Sequence, residues 1–184
     1  MVKRCEWAFE EPNLSYHDEE WGRPEHDDAK LFEFLILEGA QAGLSWVTIL
    51  KRREGYRKAF ANFDAKKVSI FNQKQITKLL KDESIIRNKL KINSAINNAK
   101  QFLKVQEEFG TFDKYIWGFV NHKPIKNNFK KLSDIPASTE ISEYMSKDLK
   151  KRGFNFVGPT ICYALMQAIG MVNDHTSGCF RYQK

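Results

Sequence analysis

The sequence predicts an all-α fold. Helix start and stop signals recur along the chain, and between them apolar residues keep a helical period. No stretch alternates apolar and polar residues for long enough to make a useful strand.

The elements follow from their punctuation. Asp27-Asp28 caps a helix from Ala29 to Gly39, and Ser45 caps a second from Trp46 to about Ala61. Asp64 opens a short helix ending near Phe71, and another spans Gln73 to Lys81. Lys89 to Phe109 reads as one long helix stopped by Gly110, followed by a short aromatic one from Phe112 to Val120. Ser138 and Thr139 precede a helix that ends at Gly153 after Lys150-Lys151-Arg152, cations suited to a helix C-terminus. Gly158 and Pro159 read as the N-cap and first position of a last helix running to Gly170. The polar segment Asn121 to Ala137 reads as a surface loop.

The 184 residues fit one domain, 1–184, with two intimate helical lobes as the alternative. The longest apolar stretch, Leu31 to Leu37, is interrupted by Glu33 and stopped by Glu38, too short for a membrane span. No signal-type apolar core follows the opening Met-Val-Lys-Arg-Cys-Glu-Trp, so a cytoplasmic protein is expected and the sequon Asn13-Leu14-Ser15 is taken as chance. The net charge of +7 favours a polyanionic partner only weakly. Three cysteines, Cys5, Cys162 and Cys179, argue against a disulfide framework and for free thiols or a metal site.

Four constellations stand out, each with an ordinary structural alternative. Leu31, Phe34, Leu35 and Glu38 share one helix face at i, i+3, i+4 and i+7, so Glu38 is either a buried acid with a function or one that reaches water or an arginine. Trp7, Tyr16, Trp21 and Trp46 are core residues or the walls of a pocket for a flat, electron-poor ring. Cys5, His17, His175 and Cys179 supply the ligand mix of a structural zinc site, although the two pairs lie far apart in sequence and coincidence is the alternative. Lys150 to Thr160 offers a cationic helix end, a tight turn and a new helix start, suited to a phosphate or to an ordinary αα-hairpin with a solvated end.

These stretches resemble a known family. Arg4-Cys5-Glu6-Trp7, Tyr16 to Gly22, Leu37 to Trp46, Ser84 to Asn88, Lys150 to Cys162, and Val172-Asn173-Asp174-His175 with Cys179 are similar to the segments of the 3-methyladenine DNA glycosylase I family. The resemblance covers nearly the whole chain; Ala40 and the short tail after Cys179 are minor departures.

The resemblance implies a helix-hairpin-helix DNA glycosylase fold whose zinc ties the N- and C-terminal segments together. It implies hydrolysis of the N-glycosidic bond of 3-methyladenine in double-stranded DNA by a monomer that needs no membrane. Glu38 would be the catalytic, base-recognising carboxylate, with Trp7, Tyr16 and Trp46 shaping the pocket. Cys5, His17, His175 and Cys179 would hold a structural zinc. Lys151, Arg152, Gly158 and Thr160 would meet the DNA backbone, and Leu44 or Gly43 would fill the gap left by the flipped base. Thr160 stands where strand-cutting relatives carry a Schiff-base lysine, and Asn173, or Asp174 one register away, where they carry an aspartate; a monofunctional enzyme is expected. The rival readings are a non-catalytic hairpin DNA-binding module and a zinc hydrolase, the latter disfavoured because four protein ligands leave no open position for water.

Overall fold

Helix α2 (Asp28–Gln41) is apolar on nearly every side, and Leu31 through Ala40 are all buried. A helix with that pattern must sit in the middle of the molecule. In the computed structural model, which describes residues 2–182, it does: α3 (Trp46–Leu50), α7 (Lys89–Phe109), α8 (Phe112–Gly118) and α10 (Pro159–Ala168) all pack against it. Around this centre lie α1 (Asn13–Glu19), α4 (Arg53–Ala59), α5 (Ala65–Ser69), α6 (Gln73–Leu79) and α9 (Glu140–Lys151). Two-residue strands, β1 (Ile125–Lys126) and β2 (Val172–Asn173), pair in parallel with Ile125 opposite Val172.

Side-chain caps set most helix starts. Asp27, Ser45, Asp64, Asn88 and Thr111 each accept a hydrogen bond from a backbone N–H in the first turn that follows, and Asn72 and Thr139 form reciprocal capping boxes. Such caps contribute about 0.5–2 kcal/mol apiece. Gly110 ends α7 at φ 86°, a conformation that disfavours any side chain. Gly158 and Pro159 start α10 as its N-cap and first residue.

Three elements differ from the sequence expectation. The helix expected from Trp46 to Ala61 breaks at Lys51-Arg52 into α3 and α4. The break turns Arg53 inward, where it donates to Glu33 at 2.6 Å and to both oxygens of Glu20 at 2.7 and 2.8 Å. It also lays Gly55 against Ser84, whose carbonyl oxygen would be 2.4 Å from any Cβ added there. Helix α1 falls in a stretch with no strong helix signal; its N-cap residue Pro12 offers no side-chain cap, Glu11 accepts from Ser15 N at 3.3 Å, and the burial of Tyr16 and His17 holds it in place. The segment 121–137 is not a free loop. It contributes β1 and a 3₁₀ turn at Leu132–Asp134, and its inner side meets the core through Ile125 and Ile135.

Helices α9 and α10 pack on each other across the turn that joins them. Gly153 (φ 89°) reverses the chain, Phe154 N donates to Leu149 O, and Ser146 Oγ donates to Val157 O at 2.6 Å to tie the turn to α9.

Candidate active site and metal centre

A cavity of about 480 Å³ opens beside the last turn of α2. Glu38 lines it, together with Trp7, Tyr16 and Trp21 from the N-terminal segment, Trp46 from α3, and Thr160, Tyr163 and Gln167 from α10. The remaining stretch of wall is Leu132, Ile135, Pro136 and Ala137. The aromatic rings support one another: Tyr16 and Trp46 lie 5.4 Å apart between centroids, and Trp7 meets Trp21 edge-on at 5.0 Å. All of this suits a flat ring of nucleobase size.

Glu38 is only 3% exposed. Its Oε2 finds no hydrogen-bond partner among the described residues, and neither do the buried Trp46 Nε1 and Asn13 Oδ1. Orphaned polar atoms are rare in folded proteins, and three whose residues line one cavity mark a place where a polar ligand completes the network. Burial pushes the Glu38 carboxyl up to about 8, so at neutral pH it rests protonated unless a cation faces it. Burial, with the nearby Glu38 and Glu20 carboxylates, also holds the Tyr16 phenol well above its ordinary value.

Asn13 was invisible as a site residue in sequence, where it figured only in a chance sequon. Its Nδ2 donates to Trp7 O at 3.3 Å, which fixes the amide with its oxygen as the free end. Asp174 was equally hard to place. It is 1% exposed, and one of its oxygens accepts from Tyr163 Oη (2.6 Å) and Gln167 Nε2 (2.8 Å), both on cavity-lining residues. Its other oxygen accepts from Asn127 Nδ2 at 2.6 Å. Asn173 Oδ1 accepts from the backbone of His175.

Behind the aromatic wall, the ligand atoms of Cys5, His17, His175 and Cys179 lie within 4.8 Å of one another, and all four residues are buried. A tetrahedral ion with ordinary Zn–S and Zn–N bonds spaces its ligands about 3.3–3.8 Å apart. Cys179 Sγ is 3.4 Å from His17 Nε2 and 3.7 Å from His175 Nδ1, and Cys5 Sγ is 3.6 Å from His175 Nδ1, so the residues fit a zinc-sized ion. The opposite ring nitrogens are already engaged: His17 Nδ1 lies 2.8 Å from Asp18, itself gripped by Arg4, and His175 Nε2 lies 3.1 Å from Trp21 O. That arrangement leaves Nε2 of His17 and Nδ1 of His175 free to face a metal ion held by the cluster. Burial lowers both imidazoles, His175 to about 4, and so keeps them in the neutral, ligating form. Both histidines also pack edge-on against pocket walls, His17 on Trp7 and His175 on Trp21.

The residues expected to meet DNA lie outside the cavity or at its mouth. Leu44 is 39% exposed, and Gly43 holds φ 77° with open space around it. Thr160 lies on the mouth, and Gly158 caps α10. Lys151 is exposed. Arg152 is engaged elsewhere: it pairs with Glu108 and Asp148, each at 2.7 Å, and its guanidinium covers the rings of Phe109 and Tyr115.

Residues 7–182 match the methyladenine glycosylase family. The chain is 49% identical over 182 residues to the DNA-3-methyladenine glycosylase 1 of Escherichia coli K12, covering 98% of this chain and 97% of that one. It resembles the solved structure of 3-methyladenine DNA glycosylase I from Staphylococcus aureus, described in terms of 3-methyladenine recognition, with a TM-score of 0.95 at 35% identity over 98% of this chain and 97% of that one. A structure of a 3-methyladenine DNA glycosylase I variant in complex with 3-methyladenine gives the same TM-score of 0.95, at 35% identity over 98% of each chain. With nearly its whole length matched at that identity, the chain belongs to the methyladenine glycosylase family.

Proposed function

We propose that the chain removes 3-methyladenine from alkylated double-stranded DNA by hydrolysing the N-glycosidic bond, and that it leaves the strand intact. One observation carries this reading: the buried Glu38 carboxyl, whose Oε2 has no partner among the described residues, in a cavity walled by Trp7, Tyr16 and Trp46. We read the chain as one cytoplasmic, monomeric glycosylase domain, with α9, the turn and α10 as its helix-hairpin-helix.

The target base leaves the stack to reach the cavity, because its glycosidic bond is inaccessible inside the duplex. Methylation at N3 gives the adenine ring a positive charge. Electron-rich indole and phenol faces attract that charge, and neutral adenine gains nothing comparable. Glu38 sharpens the difference. Ionising a carboxyl held near 8 requires about 1.4 kcal/mol at pH 7. A cationic base repays that through a charge-assisted hydrogen bond, whereas a neutral base does not.

The same charge weakens the bond to be broken. The glycosidic electron pair passes to the base, which departs neutral, and the sugar is left as an oxocarbenium ion. Water adds to the anomeric carbon and releases its proton to solvent. No covalent enzyme intermediate is needed, in keeping with Thr160 where a lysine nucleophile would stand. Once the base is neutral, the charge part of its attraction is lost; Glu38 takes up a proton again and holds the base only by a neutral hydrogen bond, which lets product leave.

Cys5, His17, His175 and Cys179 would hold a structural zinc, which cross-links the chain ends when bound and stiffens the wall of Trp7 and Trp21.

Chromatography of bases released from methylated DNA by the purified protein tests the reading. Release of 3-methyladenine well above the spontaneous rate is expected. DNA binding without such release would favour a non-catalytic module instead.

A further inference from the structure

The lining residues that are exposed mark the mouth of the cavity: Ser45, Leu132, Pro136, Ala137 and Thr160. They fall in three stretches of chain. Ser45 follows the Gly43-Leu44 turn and Thr160 follows the hairpin, both already assigned to DNA. The third stretch has no such assignment, and it is rich in cations. Just before Leu132 the chain carries Lys123, Lys126, Lys130 and Lys131, all exposed.

These cations are held in place. Ile125 N donates to Met171 O at 2.9 Å, Asn127 N to Asn173 O at 3.2 Å, and Ser177 N to Phe129 O at 2.8 Å. Asn127 also reaches the buried Asp174. The lysines therefore sit on a strip pinned to the same α10–β2 wall that backs the cavity. Their charges are largely unanswered. Asp134 is the sole acid between 121 and 137, and one of its oxygens accepts from the backbone N–H groups of Lys130 and Lys131. Lys131 Nζ is 4.0 Å from the other. Lys126 Nζ rests over the Tyr182 ring, an arrangement that leaves its charge in place. Lys123 and Lys130 have no ion pair among the described residues.

We propose that this lysine strip is a third DNA contact, made to the backbone: it grips the phosphates where the 132–137 wall reaches the cavity mouth. The inference rests on the glycosylase reading above. Duplex DNA carries one negative charge for about every 1.7 Å of its axis, so no cation at the mouth of a base-accepting cavity can avoid phosphates when a nucleotide is flipped in. Leu132, 43% exposed, gives the strip an apolar end on the rim beside that backbone. The grip is sequence-independent and works through charge alone.

Two double variants test this, Lys130→Ala with Lys131→Ala, and Lys123→Ala with Lys126→Ala. Duplex affinity is measured across a range of KCl concentrations, and binding of free 3-methyladenine is measured beside it. Removing one lysine–phosphate pairing lowers the slope of log K against log [salt] by about 0.9. The 130/131 variant should show roughly two such decrements and at least a tenfold drop in affinity at low salt, with free-base binding unchanged. Restoring charge with arginine at both positions should restore the slope. Parental slopes in both double variants would overturn the inference while leaving the glycosylase reading intact. An equal drop in free-base binding would also overturn it, by showing that the strip acts through the shape of the cavity. A parent protein that binds DNA but releases no 3-methyladenine would instead count against the glycosylase reading.

Discussion

Lys91 Nζ lies 2.7 Å from the carbonyl oxygen of Ala40, at the end of α2, and the same distance from that of Ala42. A cation at a helix C-terminus satisfies orphaned carbonyls and suits the helix dipole. Here it also fixes the chain between Glu38 and the Gly43-Leu44 turn. Lys91→Met should lower stability by about 1–3 kcal/mol, since hydrogen bonds to a charged group are removed from a partly buried site. It should reduce base release from DNA several-fold more than it reduces binding of the free base. Equal effects on both would show that Lys91 only stabilises the fold.

Glu38 predicts a pH-dependent stability difference. Its value in the folded protein is about 8 against an ordinary 4.5, so the folded state holds the proton more tightly. The stability this contributes is fully present below pH 4.5 and is lost as pH rises through 8. Glu38→Gln has no proton to lose. Relative to the parent it should gain stability steadily over that window, reaching a few kcal/mol above it. Its binding of 3-methyladenine should fall at least tenfold. Thermal melts from pH 5 to 9 would show a constant difference if Glu38 titrates normally.

Metal analysis of untagged protein should find close to one zinc per chain. Cys179→Ser, or a strong chelator, should lower the melting temperature and weaken free-base binding together, because His17 and His175 pack on the pocket tryptophans. A metal-free preparation with unchanged melting and unchanged binding would remove zinc from the account.

Lys151 and Arg152 should part company. Lys151→Ala should cut the salt slope of DNA binding by about one with no change in melting temperature. Arg152→Ala breaks its pairs with Glu108 and Asp148 and uncovers Phe109 and Tyr115, so it should destabilise the protein. A stable Arg152→Ala protein with the larger drop in slope would reverse these roles.

Borohydride should trap no protein–DNA adduct on DNA carrying 3-methyladenine or an abasic site. Thr160 cannot form an imine, and the buried Asp174 carboxylate already accepts three hydrogen bonds. A trapped adduct, or strand cleavage before alkali, would reveal a nucleophile elsewhere.

What was legible in the sequence was local. Caps such as Asp27 and Thr139 announce themselves within four residues, and the helix face shared by Leu31, Phe34, Leu35 and Glu38 raised a buried acid as one of two readings. The Cys and His residues could be grouped by chemistry, but only folding brings Cys5 to Cys179. The wall at 132–137 was not legible, because nothing in a polar stretch says which of its few apolar residues turns inward. Asn13 and Asp174 were missed or left ambiguous for the same reason: their partners lie in other parts of the chain, and a hydrogen bond leaves no periodic trace. The break at Lys51-Arg52 accompanies the Arg53 bonds to Glu20 and Glu33, partners that a local helix pattern does not reveal.

The cluster of Cys5, His17, His175 and Cys179 also sets an order of events during synthesis. Trp7, Tyr16 and Trp21 emerge early, yet their backing, His175 and Cys179, is translated some 150 residues later. Helices α2 to α8 can pack while the chain is still growing, since most of their partners lie among themselves. The cavity cannot: it closes only when the segment after α10 is free to fold back on the beginning. A ribosome-bound chain therefore carries its damage-reading surface unfinished, and competence to capture a base arrives in one late step.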